Sequence, residues 1–374
     1  DSQDWPGQYA AGPAGTEFGA YVSFNNGKSW NSLQLNLPHV PITDMEVTQN
    51  DLAISTQGRG FWILDKINIL QQINELSSYK NNIYLFTPEI AYRSNLNDGG
   101  WGYNEGGGGL NNTVSFLLKE DSNIEDISLV IKDQKDSTIV DLEYEFEEGD
   151  TIKAGVHEVY WDLEHDYPDL QEDFVSMYYR ASNPSGPKAI PGEYKIELVV
   201  GKETTSKPFI LKIDPRWKHL TLTDFQAQLD AANKVIDLID ESQNKLEEMR
   251  SIKKQISDLI ELTEEKEFYE KLKDLGTSVI EKITLIEDEL YQKKIETSQD
   301  EINYPRKWTN HITHLYDRII EGDSKPNSGM QERWKELNEN YLKIIAPYKQ
   351  ILDEDLSNFL QFLSENKVDR IILD

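Results

Sequence analysis

The chain has 374 residues and carries 38 Lys plus Arg against 67 Asp plus Glu, a net charge of -29. Such a surface repels nucleic acid and anionic lipid, whose binding needs a basic footprint, and it suits solubility, cationic partners or Ca2+. There is no cysteine, which removes disulfides, thiolate metal sites and cysteine nucleophiles, and no apolar run approaches the roughly 20 residues of a membrane-spanning helix.

The length predicts two or three domains. The chain begins at Asp1 rather than Met and shows no signal peptide, so a mature or trimmed part of a longer protein is expected. Residues 1–70 read as β. "GAYVSF" is a strand, and "NNG" is a hairpin turn because Asn and Gly accept positive φ. "ITDMEVTQ", "DLAISTQ" and "GFWILD" are three more strands, the last two parted by Gly58-Arg59-Gly60. Four short antiparallel strands with tight turns predict one sheet of a propeller or sandwich.

Residues 71–112 read as a connector, with a short helix at "LQQINELSS", an extended stretch "NIYLFTPEIAYRSN" and a glycine-rich loop "NDGGWGYNEGGGGLNN". Residues 113–215 return to β. "TVSFLLK", "ISLVIKD", "HEVYWDLE" and "GEYKIELVVG" alternate, with turns about every ten residues, which predicts a small β-sandwich. Residues 216–374 change period. Phe225, Leu229, Ala232, Ile236 and Ile239 recur at steps of three and four, the stripe of an amphipathic helix. Thr221 or Thr223 can cap its start, and Asp224 suits its positive end. Further helices are expected at 264–296, 304–321 and 328–366, the last two separated by "GDSKPNSG". The region reads as a bundle of long helices, closed on itself or paired with a second copy.

"SFNNGKSW" resembles the Asp-box, or BNR repeat, of β-propellers, whose pattern is Ser/Thr-x-Asp-x-Gly-x-Thr/Ser-Trp. Ser23, Gly27, Ser29 and Trp30 match it, and Asn25 replaces the Asp. The work of this turn is local: a short polar side chain at 25 bonds backbone N–H groups, Gly27 takes a left-handed conformation, and Trp30 is expected to bury its ring. The box is therefore a fold signal with no catalytic role.

The likeness extends along the chain. "AGTEFGAYVSFNNGKSWNSLQLNLPHVPITDMEV" and "NDLAISTQGRGFWILD" resemble the last blade of a sortilin-like (Vps10-type) BNR propeller, and "YLFTPEIAYR" resembles the connector that follows it. "GVHEVYWDLEHDYP" with "AIPGEYKIELVVGKETTSKPFILKIDPR" resembles the immunoglobulin- or FlgD-like sandwich of those proteins, and "QDEINYPRKWTNHITHLYDRIIEGDSKP" part of their helical region. The first 13 residues depart, since an alternating apolar strand would be expected there.

The resemblance implies a multidomain β plus α chain from the C-terminal part of a large bacterial exported protein: a terminal propeller blade (1–70), a connector (71–112), an immunoglobulin-like sandwich (113–215) and a helical bundle (216–374). A propeller takes about four to eight blades, so this one would continue an upstream propeller. The implied location is periplasmic, cell-surface or extracellular. The implied role is non-catalytic, supporting the propeller and binding protein or glycan partners, without a cofactor. The alternative is an accessory region of a polysaccharide-degrading glycoside hydrolase whose active site lies in upstream blades.

Candidate chemistry is sparse. Glycoside hydrolysis needs two carboxylates roughly 5–10 Å apart across a sugar. Asp44, Glu46, Asp51 and Asp65 lie in the blade, yet one blade does not form the cleft. Arg59, between two glycines, can fork onto a ligand carboxylate, or pair with an acid of its own blade or stack on Trp62 or Phe61. Trp101 and Tyr103 can stack on a sugar or simply belong to a linker, whose sequence lacks the Gly-Lys-Ser/Thr ending of a phosphate loop. His311 and His314 share a helix face at i and i+3, a metal-ligand spacing without a third ligand, so no metal is expected. "NDGG" and "EYEFEEGD" lack the alternating acids of an EF-hand loop, and no GxSxG nucleophile motif occurs.

Overall fold

The computed structural model describes residues 12–48, 51–76, 79–93, 112–142, 151–167, 170–172, 174, 185–294, 297, 300 and 303–368. These form two compact units. One gathers the described residues of Asp1–Tyr92, Glu105–Asp162 and Gly192–Lys212, the other those of Arg93–Asn104, Leu163–Pro191 and Ile213–Asp374. The strands on either side of residue 112 thus share one unit, and the described residues of 163–191 fall in the unit of the helices.

The first unit opens with β1 (Pro13–Thr16), β2 (Gly19–Val22) and β3 (Asn31–Ser32) in one antiparallel sheet, followed by β4 (Ile42–Thr48), β5 (Asp51–Thr56) and β6 (Phe61–Leu64) in another. The four strands expected in a single sheet are therefore split between two. The reason lies in the passage from β3 to β4. Pro38 and Pro41 have no N–H to donate to a ladder, and the Gln34 amide folds the chain over by donating to the carbonyls of Leu37 at 2.6 Å and Pro38 at 3.0 Å.

Alternation along β5 sends Leu52 and Ile54 inward. Their cross-strand partners Val47, Met45, Leu64 and Trp62 share that face. Together with Ala20, Val22, Leu33, Leu37 and Ile67 they make one core between the two sheets. The approach is close at Gly15, where a Cβ would lie 2.5 Å from Ile42 Cγ2.

After α1 (Asn68–Leu76) come β7 (Ile83–Leu85), β8 (Ala91–Arg93), β9 (Thr113–Leu118), β10 (Ser122–Asn123), β11 (Ile127–Lys132), β12 (Thr138–Asp141), β13 (Thr151–Ile152), β14 (Gly155–Tyr160), β15 (Gly192–Val200) and β16 (Glu203–Ile213). They build a three-stranded sheet β14-β9-β7, a five-stranded sheet β12-β11-β15-β16-β8 and the small pair β10-β13. Part of the predicted connector is thus sheet: β7 pairs Ile83, Tyr84 and Leu85 with Leu118, Leu117 and Phe116. Hairpin β15–β16 runs in register from Gly192↔Leu211 to Val200↔Glu203, and Gly201 supplies the left-handed turn residue at φ 58°. Trp161, fully buried just after β14, meets Tyr194 and Phe209 edge-on at 5.6 and 5.1 Å.

The second unit is helical: α2 (Leu222–Leu262), α3 (Tyr269–Leu290), α4 (Trp308–Ile320), α5 (Ser328–Gln350) and α6 (Ser357–Glu365), with a π-helical turn Ile351–Leu356 joining the last two. Thr221, not Thr223, caps α2; its N–H and hydroxyl donate to Asp224 Oδ2 at 3.0 and 2.7 Å. Asn327 of the "GDSKPNSG" break caps α5 by accepting from Met330 N at 3.0 Å. Pro347 sits inside α5 and donates no bond to the preceding turn, and the wider π turn follows within four residues of it. The five helices bury one core, from Val235, Ile239 and Leu246 on α2 to Val279 and Ile283 on α3, Ile312 and Tyr316 on α4, Tyr341 on α5 and Phe359 on α6.

Candidate functional site

The Ser23–Trp30 turn is built from its own side chains. Ser23, fully buried, accepts from Gly27 N at 2.8 Å and Asn25 N at 3.4 Å. Asn25 accepts from Ser29 N at 2.8 Å through Oδ1 and donates to Ser29 Oγ at 2.7 Å through Nδ2. Asn26 and Gly27 both take positive φ, 59° and 76°. Trp30 departs from expectation: its side chain is not in the core, and the residue is 49 % exposed. The indole lies over the turn instead, with Cζ2 at 3.7 Å from where a Gly27 Cβ would be, so it covers the turn backbone rather than anchoring the core between the two sheets.

Arg59 stands exposed at the tip of the β5–β6 turn. Its carbonyl accepts from Trp62 Nε1 at 3.1 Å, which fixes the backbone and leaves the guanidinium in solvent. Asp51 accepts from Lys66 N at 3.3 Å, and Asp65 is exposed in the segment after β6. Asp44 and Glu46 point to the outer face of the β4-β5-β6 sheet, in register with Ser55 and Phe61 and with Ala53 and Ile63. That face is largely bare: Phe61 is 87 % and Ile63 66 % exposed. Trp101, Tyr103, "NDGG" and "EYEFEEGD" lie outside the described residues.

In the helical unit, His311 and His314 lie on the same side of α4. Burial, then the nearby guanidinium groups of Arg333 and Arg306, hold His311 below its ordinary 6.5. Burial, then Arg318 and Arg306, do the same to His314. Cations around a histidine pair oppose a metal ion, and among the described residues no group of three or more His, Asp or Glu is placed to hold one.

Arg306 and Arg333, but not Arg318, line a groove of about 510 Å³ between the end of α3, the start of α4 and the middle of α5. Arg306, Lys307, His311, Arg333 and Lys343 face it, with Glu289 at its edge and the buried Trp308 and Leu337 beneath. Trp308 Nε1 donates to Leu337 O at 2.9 Å, so the floor is internally tied. Sequence reading missed this groove. Its signal is weak: "PRKW" before α4, and positions 333, 337, 340 and 344, which fall on one face of α5.

Two buried ionic clusters are structural. Arg93 donates to Asp323 Oδ1 at 2.9 Å, to the carbonyls of Lys188 and Ala189 at 3.2 and 3.0 Å and to Gln228 Oε1 at 2.5 Å, with its guanidinium 4.6 Å over Phe225. Glu287 of α3 gathers Arg250, Lys253 and Lys293. Both are filled by side chains of the unit itself. No known protein family, no curated protein and no solved structure matches the chain.

Proposed function

We propose that the chain is a non-catalytic region of a larger exported Asp-box propeller protein, in which the β1–β3 and β4–β6 sheets are blade pieces. The sheets around β9 and β15 form an immunoglobulin-like sandwich, and the helices form a bundle that supports them and presents surfaces to protein or glycan partners. The observation that carries this reading is the outer face of β4-β5-β6. One face of that sheet is covered by the β1–β3 sheet through a shared core. The opposite face presents Phe61 and Ile63 to solvent beside Ala53. Apolar rows of this kind on an otherwise acidic chain mark a face that another body covers, and a further blade stacked in the same manner is the occupant that sheet-on-sheet packing supplies.

Intact mass and N-terminal sequencing of the protein from its native source test the reading. A longer chain with further Asp-boxes upstream is expected. A native chain that starts at Asp1 overturns it.

A further inference from the structure

The Ser23–Trp30 turn holds a chemical property that rests on its own bonds and not on the blade reading. Asn26-Gly27 is the one Asn-Gly pair in the sequence. Glycine has no side chain to shield its amide nitrogen, and that nitrogen can approach and attack the preceding carboxamide. Asn26 is exposed, and it and Gly27 hold positive φ, 59° and 76°. The Gly27 N–H, however, is engaged: it donates to Ser23 Oγ at 2.8 Å, and Ser23 is fully buried. We propose that Asn26 is a latent site of spontaneous deamidation, kept closed by the Ser23 hydroxyl and opened when the turn loosens.

The reaction balances with water as its co-reactant. The Gly27 nitrogen gives its proton to solvent and bonds to Asn26 Cγ. The Cγ–Nδ2 bond breaks, the leaving nitrogen takes a proton, and ammonia departs from a five-membered imide. Water then adds to one of the two imide carbonyls and reopens the ring as aspartate or isoaspartate. A carboxylate and ammonium thus replace a carboxamide and water, with no change of oxidation state. In the imide the Gly27 nitrogen carries no hydrogen, so its bond to Ser23 Oγ cannot survive ring closure. The buried Oγ then keeps only the longer contact from Asn25 N at 3.4 Å, and a buried acceptor that loses its donor is not repaid by water. Closure costs the folded turn a bond that an open chain does not have to give up.

The neighbouring groups hold the same backbone. Asn25 bonds the Ser29 N–H and hydroxyl at 2.8 and 2.7 Å, and the Trp30 indole lies across Gly27. The Gly27 peptide is therefore fixed from both ends of the turn, and reaction waits on local opening. The product then blocks the way back. Isoaspartate routes the chain through Cβ and inserts one more backbone atom between two residues whose left-handed φ values shape the hairpin. The modified turn does not close in its former register, and deamidation at Asn26 is a one-way record that the turn has opened.

The test is incubation of the whole folded chain in mildly alkaline buffer, with the Asn26 peptide followed by mass spectrometry and isoaspartate by enzymatic methyl labelling. The same chain unfolded in guanidinium chloride sets the unprotected rate. Folded wild type is expected to react about tenfold more slowly than that, or slower still. Ser23→Ala is expected to speed the folded reaction about fivefold, the worth of one hydrogen bond, while Ser23→Thr, which keeps the hydroxyl, stays slow. Ile54→Val trims the core beneath at a similar cost in stability without touching the turn, and its rate is expected to stay near wild type. Ser23→Cys, a weaker acceptor, serves if Ser23→Ala does not fold. The proposal is overturned by a folded wild-type rate equal to the unfolded one. It is overturned equally by wild-type rates in the Ser23 variants that lack the hydroxyl, or by the same acceleration in Ile54→Val as in them.

Discussion

Replacing Glu287 with Gln tests how the helical unit is held. The carboxylate side chain is 2 % exposed and accepts from Arg250 Nε at 3.0 Å, from Lys293 Nζ at 3.3 Å and from Lys253 Nζ. A hydrogen bond to a charged group contributes about 1.5–3 kcal/mol, and burying the ions costs several kcal/mol in return. Breaking a buried pair from one side usually costs about 3–5 kcal/mol, because the partner charge stays behind. Here the three cations are between 18 and 34 % exposed and keep some water, so the loss falls at the lower end, about 3 kcal/mol. Urea unfolding followed by far-UV circular dichroism reads it as a lower midpoint with an unchanged slope. The pH dependence supplies a second check. Burial raises the carboxyl, but the hydrogen bonds and charges of Lys253 and Arg250, with Lys293, outweigh it and hold Glu287 below its ordinary 4.5. A depressed carboxyl stabilises the fold fully above its unfolded value and loses that contribution as pH falls through the folded one. The penalty of Glu287→Gln should thus be constant from neutral pH down to about 5 and shrink in more acid solution. A penalty below about 1 kcal/mol at neutral pH, or one that does not shrink in acid, refutes the argument.

Arg93→Met should destabilise the same unit by about 3–5 kcal/mol, because it strands the Asp323 carboxylate, 3 % exposed, without its cation; urea unfolding with no more than a minor loss counts against it. Gly276→Ala sets helix propensity, about 1 kcal/mol in favour, against a Cβ that would lie 2.7 Å from Ile256 Cγ2 and 2.8 Å from Ile260 Cδ1. Overpacking of this kind costs about 1–3 kcal/mol, so a small net loss in thermal unfolding is expected and a rise in Tm contradicts it. Asn25→Ala should cost about 1–2 kcal/mol through its bonds to Ser29. Asn25→Asp should be close to neutral, since the Ser29 hydroxyl can turn to donate; equal losses for the two would show that the side chain does not hold the turn.

Much of the local structure was legible in the sequence. The Phe225–Ile239 stripe lies on α2, the "GDSKPNSG" break carries the cap of α5, and the Asn25 and Gly27 chemistry of the turn appears in its hydrogen bonds and φ. Trp30 was misread because its type predicts burial, whereas its place on an exposed turn allows only partial cover. The sheet of β4–β6 was read as continuous with β2 because alternation marks strands but carries no information about which ladder they join. The groove was not legible at all: Arg306 and Arg333 are 27 positions apart in the sequence, and a charged residue on an exposed helix ordinarily reads as a solvated one.

By itself the sequence determined what acts within a few residues: strand alternation, helix period, caps and turns, together with the acidic surface and the absence of thiol chemistry. These depend on backbone sterics and neighbouring side chains, which a linear pattern encodes. Tertiary structure decided the rest: two sheets in place of one among the first six strands, β7 drawn into the sheet with β9, the described residues of 163–191 placed in the unit of the helices, Arg93 and Glu287 buried among partners distant in sequence, and cations gathered against α4. Each of those depends on which apolar faces close on one another, and burial is a property of the closed chain, not of any segment of it.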